Sequence, residues 1–449
     1  MMLLDGRLSQ EDIRLLEGRL LVINGNYQFY QQYLIGQNPP LMNAPAKDAP
    51  DNRVPVPFAR RIVSTLKGYA YKPGYITFSA PNEYMPSLKD VFDLNDEELL
   101  TAELADDAMG YGVGYEILRI DDQLNIRQYR IEAGDGIMAY DNTIEKNPIA
   151  FIHLVTHDDY SQTKTIYYAD VYQTWYRSYN GNWGVMEEVE HPFGQVPVVA
   201  YRMNRFNLPI YSSVLKMIDE HDKVISSAYA NERERFAQAY LLLMDELSET
   251  TDSDGRTVID RLAEIRAFTG LGRNGTASRV QDAVAYLTKP ARGTEAAEEA
   301  DRLERLIKEN SQIIDPYDAS FSGASGIALA YKLLPMEWLC ADMDGYFDRA
   351  LQERIMLIQT AQEVLRGITP EMVTIHHRRN IPMDLLNLAD LAGRLKGILS
   401  DRTILELFPA DVVADVEEEL TQIEEQAGSI FDTQEPQPEE VIIDTGESE

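Results

Sequence analysis

Residues 317–326, Tyr-Asp-Ala-Ser-Phe-Ser-Gly-Ala-Ser-Gly, run straight into a helical pattern that continues from Ile327 to Arg366. At about 1.5 Å per residue, some 40 helical residues reach roughly 60 Å, longer than an ordinary globular helix needs to be, so something large is being spanned. The segment before it is soft. Apart from Asp318 and Phe321, every residue between Asp318 and Gly326 is small, so the backbone bends cheaply and little apolar surface holds it in place. Ser325 is placed as an N-cap, Gly367 as a stop, and Leu339, Met343, Phe347, Ala350, Ile358, Ala361 and Leu365 fall mostly on one stripe. Pro335 lies inside the pattern, where its ring clashes with the Tyr331 carbonyl and one backbone hydrogen bond is lost, which predicts a kinked helix.

The remaining pattern is mixed. Residues 9–35 read as a helix capped by Ser9, with Ile13, Leu16, Leu20 and Leu21 on one side, and Pro39, Pro40, Pro45 and Pro50 mark an extended loop after it. Helical patterns return at about 59–70 and 95–110. Between Tyr115 and Tyr201 the period changes: Tyr167, Tyr168, Val171, Tyr172, Trp175, Tyr176 and Tyr179, with the turn pair Asn180-Gly181, read as antiparallel hairpins packed by their aromatics. A helix from Ser212 or Ser213 carries Leu215, Ile218, Val224, Ile225 and Ala228 inward. An insert at 246–293 follows, with turns at Asp254-Gly255 and Gly270 to Gly275, a short amphipathic helix (Val258, Leu262, Ile265, Phe268) and a strand over 284–287. A helix capped by Thr294, with Glu295, Glu298 and Glu299 in its first turn, then returns. The layout is a pair of helices carrying a small α/β tip, on an α+β body.

Charge and composition narrow the partners. The formal net charge is -33, and beyond Arg402 there is no Lys or Arg at all. A chain that gripped nucleic acid tightly would carry clusters of both, to displace counterions from phosphate. With 449 residues there is room for about three domains. No run of 18 apolar residues offers a transmembrane helix, and no signal peptide is read at the N-terminus. The single cysteine, Cys340, excludes an intrachain disulfide framework and reads as a core thiol.

Strings that resemble catalytic motifs lack the right setting. Gly270-Leu-Gly272-Arg-Asn-Gly275 matches the dinucleotide fingerprint, yet follows a helical pattern and leads into a strand, the reverse of the context that builds a phosphate site. Gly110-Tyr-Gly112-Val-Gly114 reads as a close-packed helix-to-strand turn. His153 and His157 lie in a strand region without a third ligand and read as a surface pair. Asp106-Asp107 and Asp121-Asp122 suggest a metal-dependent nucleic-acid-processing enzyme as the alternative, but adjacent carboxylates diverge and do not share a metal. No catalytic, cofactor-binding or metal-binding residue is assigned. There is no GxxxxGK[ST] motif, so no P-loop nucleotide site is read in this chain.

Several segments occur in a telling order: Tyr30-Gln-Gln-Tyr33-Leu-Ile-Gly36, Asn52-Arg-Val-Pro-Val-Pro-Phe58-Ala-Arg-Arg-Ile62-Val-Ser-Thr-Leu-Lys-Gly68-Tyr69, Ala108-Met-Gly-Tyr-Gly-Val-Gly-Tyr115, Val196-Pro-Val-Val-Ala-Tyr201, Leu215-Lys-Met-Ile-Asp219, Ser325-Gly-Ile-Ala-Leu329, Arg379-Asn-Ile-Pro382 and Gly397-Ile-Leu-Ser400. From about residue 27 to 425 this set resembles the portal, or head-to-tail connector, proteins of tailed bacteriophages, of the siphovirus type. The resemblance implies a portal fold: a wing (1–210), a stem helix (211–245), a clip (246–293), a returning stem helix (294–316), a tunnel loop (317–326), a kinked long helix with the C-terminal part of the wing (327–382), a helical crown (383–430) and a disordered acidic tail (431–449).

The same resemblance implies a homo-oligomeric, dodecameric ring through which double-stranded DNA enters and leaves the capsid. The terminase large subunit and head-completion adaptors would dock at the clip, with the major capsid and scaffolding proteins at crown and wing. The place of action would be the virion portal vertex, and the host cytoplasm during assembly, with no membrane partner. Asp318, Ala319, Ser320, Phe321, Ser322 and Gly323 would face DNA, and Pro335 would let the helix flex. The loop holds no Lys or Arg, so an electrostatic grip would come from elsewhere. The basic island His376-His-Arg-Arg379 would meet DNA or, the reading favoured here, carboxylates of a neighbouring subunit.

Overall fold

A computed structural model describes residues 7–41, 53–81, 83–237, 240–243, 267–269, 284–287, 293–314, 326–380, 385–405, 407, 408, 412, 413, 416 and 419–423. They divide into two units, one drawn from 1–323 and 329–380, the other from 324–328 and 381–449. Helix α1 (Gln10–Leu34) opens the first unit, and its cap Ser9 accepts a hydrogen bond from the Asp12 backbone N–H at 3.1 Å. Ile13, Leu16 and Leu20 are buried as their spacing predicts. Leu21 is not: it stands 71% exposed, because one step along a helix turns the side chain by about 100°, off the inner face. Next come α2 (Phe58–Ala70), β1 (Ile76–Ser79), α3 (Met85–Leu94) and α4 (Glu97–Tyr111). The sequence reading has no counterpart for α3, a short helix with Pro86 in its first turn.

The Gly110–Gly114 run is the tight turn its sequence suggests. Gly112 caps α4 at φ +91°, and a Cβ there would lie 2.2 Å from the Asn207 carbonyl oxygen. A Cβ on Gly114 would lie 2.8 Å from the Leu104 carbonyl oxygen. Only glycine allows the chain to leave the helix at this angle and enter β2 (Gly114–Ile120).

Strands β3 (Ile126–Ile131) and β9 (Val198–Tyr201) flank β2 in an antiparallel sheet ordered β3-β2-β9. Between them β4 (Gly136–Tyr140), β5 (Pro148–Thr156), β6 (Gln162–Tyr167), β7 (Val171–Arg177) and β8 (Gly184–Glu190) form an antiparallel meander in chain order. The alternation of side chains along these strands sorts the unit into layers. Ile137, Ala139, Ala150, Ile152, Ile166 and Val171 pack against Ile13, Leu16 and Leu20 of α1. Their neighbours Met138, Phe151 and Tyr167 turn the other way, onto Tyr115, Ile117, Ile131 and Val198 of the three-stranded sheet. The far side of that sheet, through Leu118, Ile126, Val199 and Tyr201, joins the main core of α2, α3, α4 and the long helix. Of the hairpin tyrosines, Tyr167 and Tyr168 are buried in the sheet packing, whereas Tyr176 and Tyr179 are exposed, and Arg119 stacks on both Tyr167 and Tyr172.

After the sheets, α5 (Leu215–Ala237) leads to β10 (Tyr240–Leu243), β11 (Ala267–Thr269) and β12 (Val284–Leu287), a sheet ordered β11-β10-β12. The strand expected over 284–287 is present. Phe268, expected on a helix, lies in β11, and Tyr240–Leu243, read as the end of a helix, pairs with the strands of the insert. Main-chain pairing has overridden local helical spacing at both places. Helix α6 (Gly293–Ser311) starts one residue earlier than its expected cap Thr294 and packs against α5. Ile218 near the start of α5 and Ile307 near the end of α6 enter the same core, so the pair is antiparallel. Helix α7 (Gly326–Arg366) is the predicted rod, and β13 (Thr374–His377) returns to pair antiparallel with β1. In the second unit α8 (Leu385–Leu395) and α9 (Asp401–Leu405) are helical as expected. The α+β class stands; Ser325, the 258–265 part of the amphipathic helix and the tail 431–449 lie outside the described residues.

Candidate functional site in the long helix

Asp318, Ala319, Ser320, Phe321, Ser322 and Gly323 lie outside the described residues, so the site takes shape from the rod that follows them. α7 runs unbroken across Pro335, which is exposed between the buried Leu333 and Met336. Tyr331, whose carbonyl loses its partner to the proline, is 71% exposed, and Trp338 is 65% exposed. The gap in the hydrogen-bond ladder therefore falls on the solvent side, where water can satisfy the carbonyl.

From Cys340 onward the helix is held hard. Cys340, Met343, Phe347, Ala350, Ile358 and Ala361 are buried on the expected stripe. So is Arg354, which lies on that stripe at 0% exposure and which the apolar pattern hides. Its Nε donates to Glu116 at 2.8 Å, and its Nη1 donates to Glu97 at 2.8 Å and to the Thr101 hydroxyl at 2.7 Å. Glu116 also accepts from the Tyr201 hydroxyl at 2.6 Å and from Gln128 at 2.9 Å, and the guanidinium lies over the Tyr201 ring. Burial raises the Glu97 carboxyl above its ordinary range, against the lowering effect of Arg354 and Thr101. Burial likewise opposes the charge on Arg354, but Glu116, Tyr201 and Glu97 outweigh it and keep the group protonated. Each ion is tolerable only because the others are present.

A second clamp grips the preceding turns. Arg379 Nε donates to Glu337 at 3.1 Å and its Nη2 to Asp344. The Tyr69 hydroxyl donates to Glu337 at 2.9 Å, the Tyr71 hydroxyl to Asp344 at 2.8 Å, and His377 Nε2 pairs with Asp348 at 2.6 Å. His376 Nε2 shares a hydrogen bond with Ser79 Oγ at 2.8 Å. This corrects the expectation for the basic island: His377 and Arg379 meet carboxylates of their own chain's long helix, because β13 pairs with β1 and delivers them there. Burial pushes the Cys340 thiol up to about 12, so it stays protonated in the core. At the far end Gln362 joins the Tyr84 hydroxyl at 2.8 Å and the Ser87 carbonyl at 2.9 Å. Gly367, φ +67°, closes the helix as predicted, its N–H on the Glu363 carbonyl and that of Ile368 on Gln362.

The start of α5 carries a third fixed point that the sequence reading missed. Asp222 is fully buried and accepts from the Val56 backbone N–H at 3.1 Å and from the Asn38 amide. Ser226 accepts from the Val54 N–H at 3.0 Å. A helix carboxylate thus satisfies the backbone of an extended segment that has no sheet partner there. The run Val54-Pro55-Val56-Pro57 offers the only hint, since its two prolines keep that segment out of helix.

The other candidates separate. Asp106 pairs with Lys67 at 2.8 Å, whereas Asp107 takes Arg130, so the adjacent carboxylates diverge as expected. Asp121 closes its own turn onto the Gln123 and Asn125 backbone N–H groups. His153 sits in β5, where burial and nearby Arg119 lower it to about 4, and His157 meets Thr163. Gly270 to Gly275 lies outside the described residues, but β11 directly precedes it, so a strand and not a helix leads into the motif. The next described element is again a strand, β12.

A family model described as phage portal protein, SPP1 Gp6-like, matches residues 12–430. Among solved structures, the virion of a native gene transfer agent particle is similar at 13% identity over 81% of this chain and 95% of that chain, with a TM-score of 0.39. The neck of the native particle, computed with C12 symmetry, is similar at 13% identity over 78% and 90%, with a TM-score of 0.36. No curated protein matches the chain.

Proposed function

The chain belongs to the SPP1 Gp6-like phage portal protein family, and we propose from that premise that its copies close into a dodecameric ring that conducts double-stranded DNA into and out of a capsid. The portal family is a structural, head-to-tail connector family of the virion. In this reading residues 318–323 line the channel, 246–293 dock the terminase large subunit and then head-completion adaptors, and 383–430 with 1–210 meet the major capsid and scaffolding proteins. Assembly takes place in the host cytoplasm. The subunit does mechanical work and no chemistry.

One observation carries the mechanical part. α7 is clamped by Arg379, Arg354 and Gln362 from Glu337 onward, while near the loop one side of the helix exposes Tyr331, Pro335 and Trp338 and the other buries Leu333 and Met336. A rod clamped along most of its length, with one face open beside the loop, passes a small displacement of the loop to a fulcrum near Pro335. The net charge of -33 suits a conduit, since strong phosphate contacts would brake sliding DNA.

Microscopy with mass determination on the purified chain tests the ring. Closed rings with a central hole of duplex width are expected, and a monomer at high concentration would count against them. Pro335→Ala tests the hinge: packaging should fall while ring assembly stays intact, and unchanged packaging would remove Pro335 from the mechanism.

A further inference from the structure

We propose that the outward side of α1 is the surface by which one copy of this chain packs against the β8 edge of the next, a contact that rests on the ring reading and locates its interface. The inner side of α1 is spent on the five-stranded sheet and, towards its C-terminus, on α2 and α4. Its outer side carries Leu15, Val22 and Phe29, seven residues apart and 50%, 65% and 41% exposed, with Leu21 at 71% beside them. Between them, also seven apart, stand Gly18 and Gly25, and a Cβ added at either meets nothing within 4 Å. Glycine weakens a helix interior and no neighbour within the chain requires it here, so the notches serve an approach from outside.

Charge selects the occupant. Arg14 and Arg19 flank the stripe, both exposed and without a carboxylate partner among the described residues. The only carboxylate on this face, Glu11, is at its N-terminal end, and no Asp or Glu occurs from Gly18 to Leu41 in a chain with 74 of them. β8 is the complement. It is an edge strand, with Val185 and Met186 54% and 67% exposed and the exposed Glu187, Glu188 and Glu190 along it; of these only Glu188 has a side-chain partner among the described residues, the Gln173 amide. An acidic edge repels its own image and most of a surface charged -33, but not an apolar face bordered by arginines. α1 lies across the face of the sheet, touching β4 and pairing Glu17 with Lys164 of β6, whereas β8 is the sheet's edge, so the two surfaces are distinct and each copy offers both at once, as a head-to-tail contact that closes by rotation requires.

Charge reversal of the full-length chain tests the pairing by light scattering at low salt. Arg14→Glu with Arg19→Glu, and separately Glu187→Lys with Glu190→Lys, should each weaken association about tenfold or more. Combining all four in one chain, or mixing the two variants, should restore it; mixing also answers any doubt about folding, since a misfolded variant rescues nothing. Cys340 is the chain's only cysteine and is buried. Val22→Cys with Met186→Cys should therefore oxidise to a ladder of covalent multimers. Dimers from Val22→Cys alone would mean that α1 meets α1 and would overturn the proposal. Rings unaffected by either reversal would overturn it while leaving the ring reading intact, whereas a wild-type chain that stays monomeric at every concentration would overturn both.

Discussion

Arg354 and Arg379 both pin α7 through pairs of carboxylates, but in different surroundings. Arg354 projects from the helix into the core and takes Glu97 of α4 and Glu116 of β2, all three nearly without exposure. Arg379 reaches back from beyond β13 to Glu337 and Asp344 on the helix itself, and Glu337 is 41% exposed. The buried cluster has no solvent to fall back on, so one geometry satisfies it and α7 is set against α4 and β2 at that point. In the Arg379 cluster only Glu337 can exchange its partner for water at modest cost, because Arg379 and Asp344 are 12% and 14% exposed. The same rod is thus fixed in register at Arg354 and, at the Arg379 cluster, keeps one carboxylate, Glu337, open to solvent.

The largest way to break this contrast is Arg354→Met, which keeps much of the side-chain volume but leaves Glu97 and Glu116 buried without their cation. It should cost about 3–5 kcal/mol in urea unfolding, and adding Glu97→Gln and Glu116→Gln should recover much of the loss. Recovery failing to appear would mean that the cluster acts by shape and not by charge. Arg379→Ala should cost about 1–3 kcal/mol, and high salt should remove only the share that comes from the exposed Glu337, whereas Arg354→Met should show no salt response. Equal salt response of the two would erase the distinction. At the far end, Gly367→Ala forces a Cβ into the left-handed region and should cost about 1 kcal/mol, with the fraying confined to the last turn by hydrogen exchange.

The smallest effect is a slope. Burial pushes the Asp107 carboxyl up to about 6, beyond the counteracting hydrogen bonds of Arg130. The native chain therefore holds a proton there that the unfolded chain has already released. Stability from this group is present below the ordinary aspartate range and is lost as pH rises from about 4 to about 6. Since Arg130 is one-third exposed, screening keeps the change to about 1 kcal/mol, and Asp107→Asn should flatten the profile in that window.

Much of the architecture was legible. The rod from residue 327 to 366, its stop at Gly367, the cap at Ser9, the Gly112 turn and the tyrosine hairpins all follow from interactions between near neighbours. β1 and β13 were not legible, because each is four residues long and Ser79 and His376, which join them, are 297 positions apart. The basic island was misread for the same reason: its carboxylates are on α7, but only the β1–β13 pairing brings it there. Leu21 looked like a core residue by hydropathy, and its exposure is what directs attention to the outer face of α1.

By itself the sequence determined the periodicity, the punctuation and the charge: where helices start and stop, which strands alternate, and that the chain carries far more acid than base. These depend on backbone sterics and on the order of residues along a few turns, which no distant contact needs to supply. Tertiary structure alone decided which ions go inside. The cost of burying Arg354, Glu97, Glu116 or Asp222 depends on partners as far as 257 residues away, and a guanidinium on an apolar stripe is a defect or an anchor according to what the folded chain places opposite it.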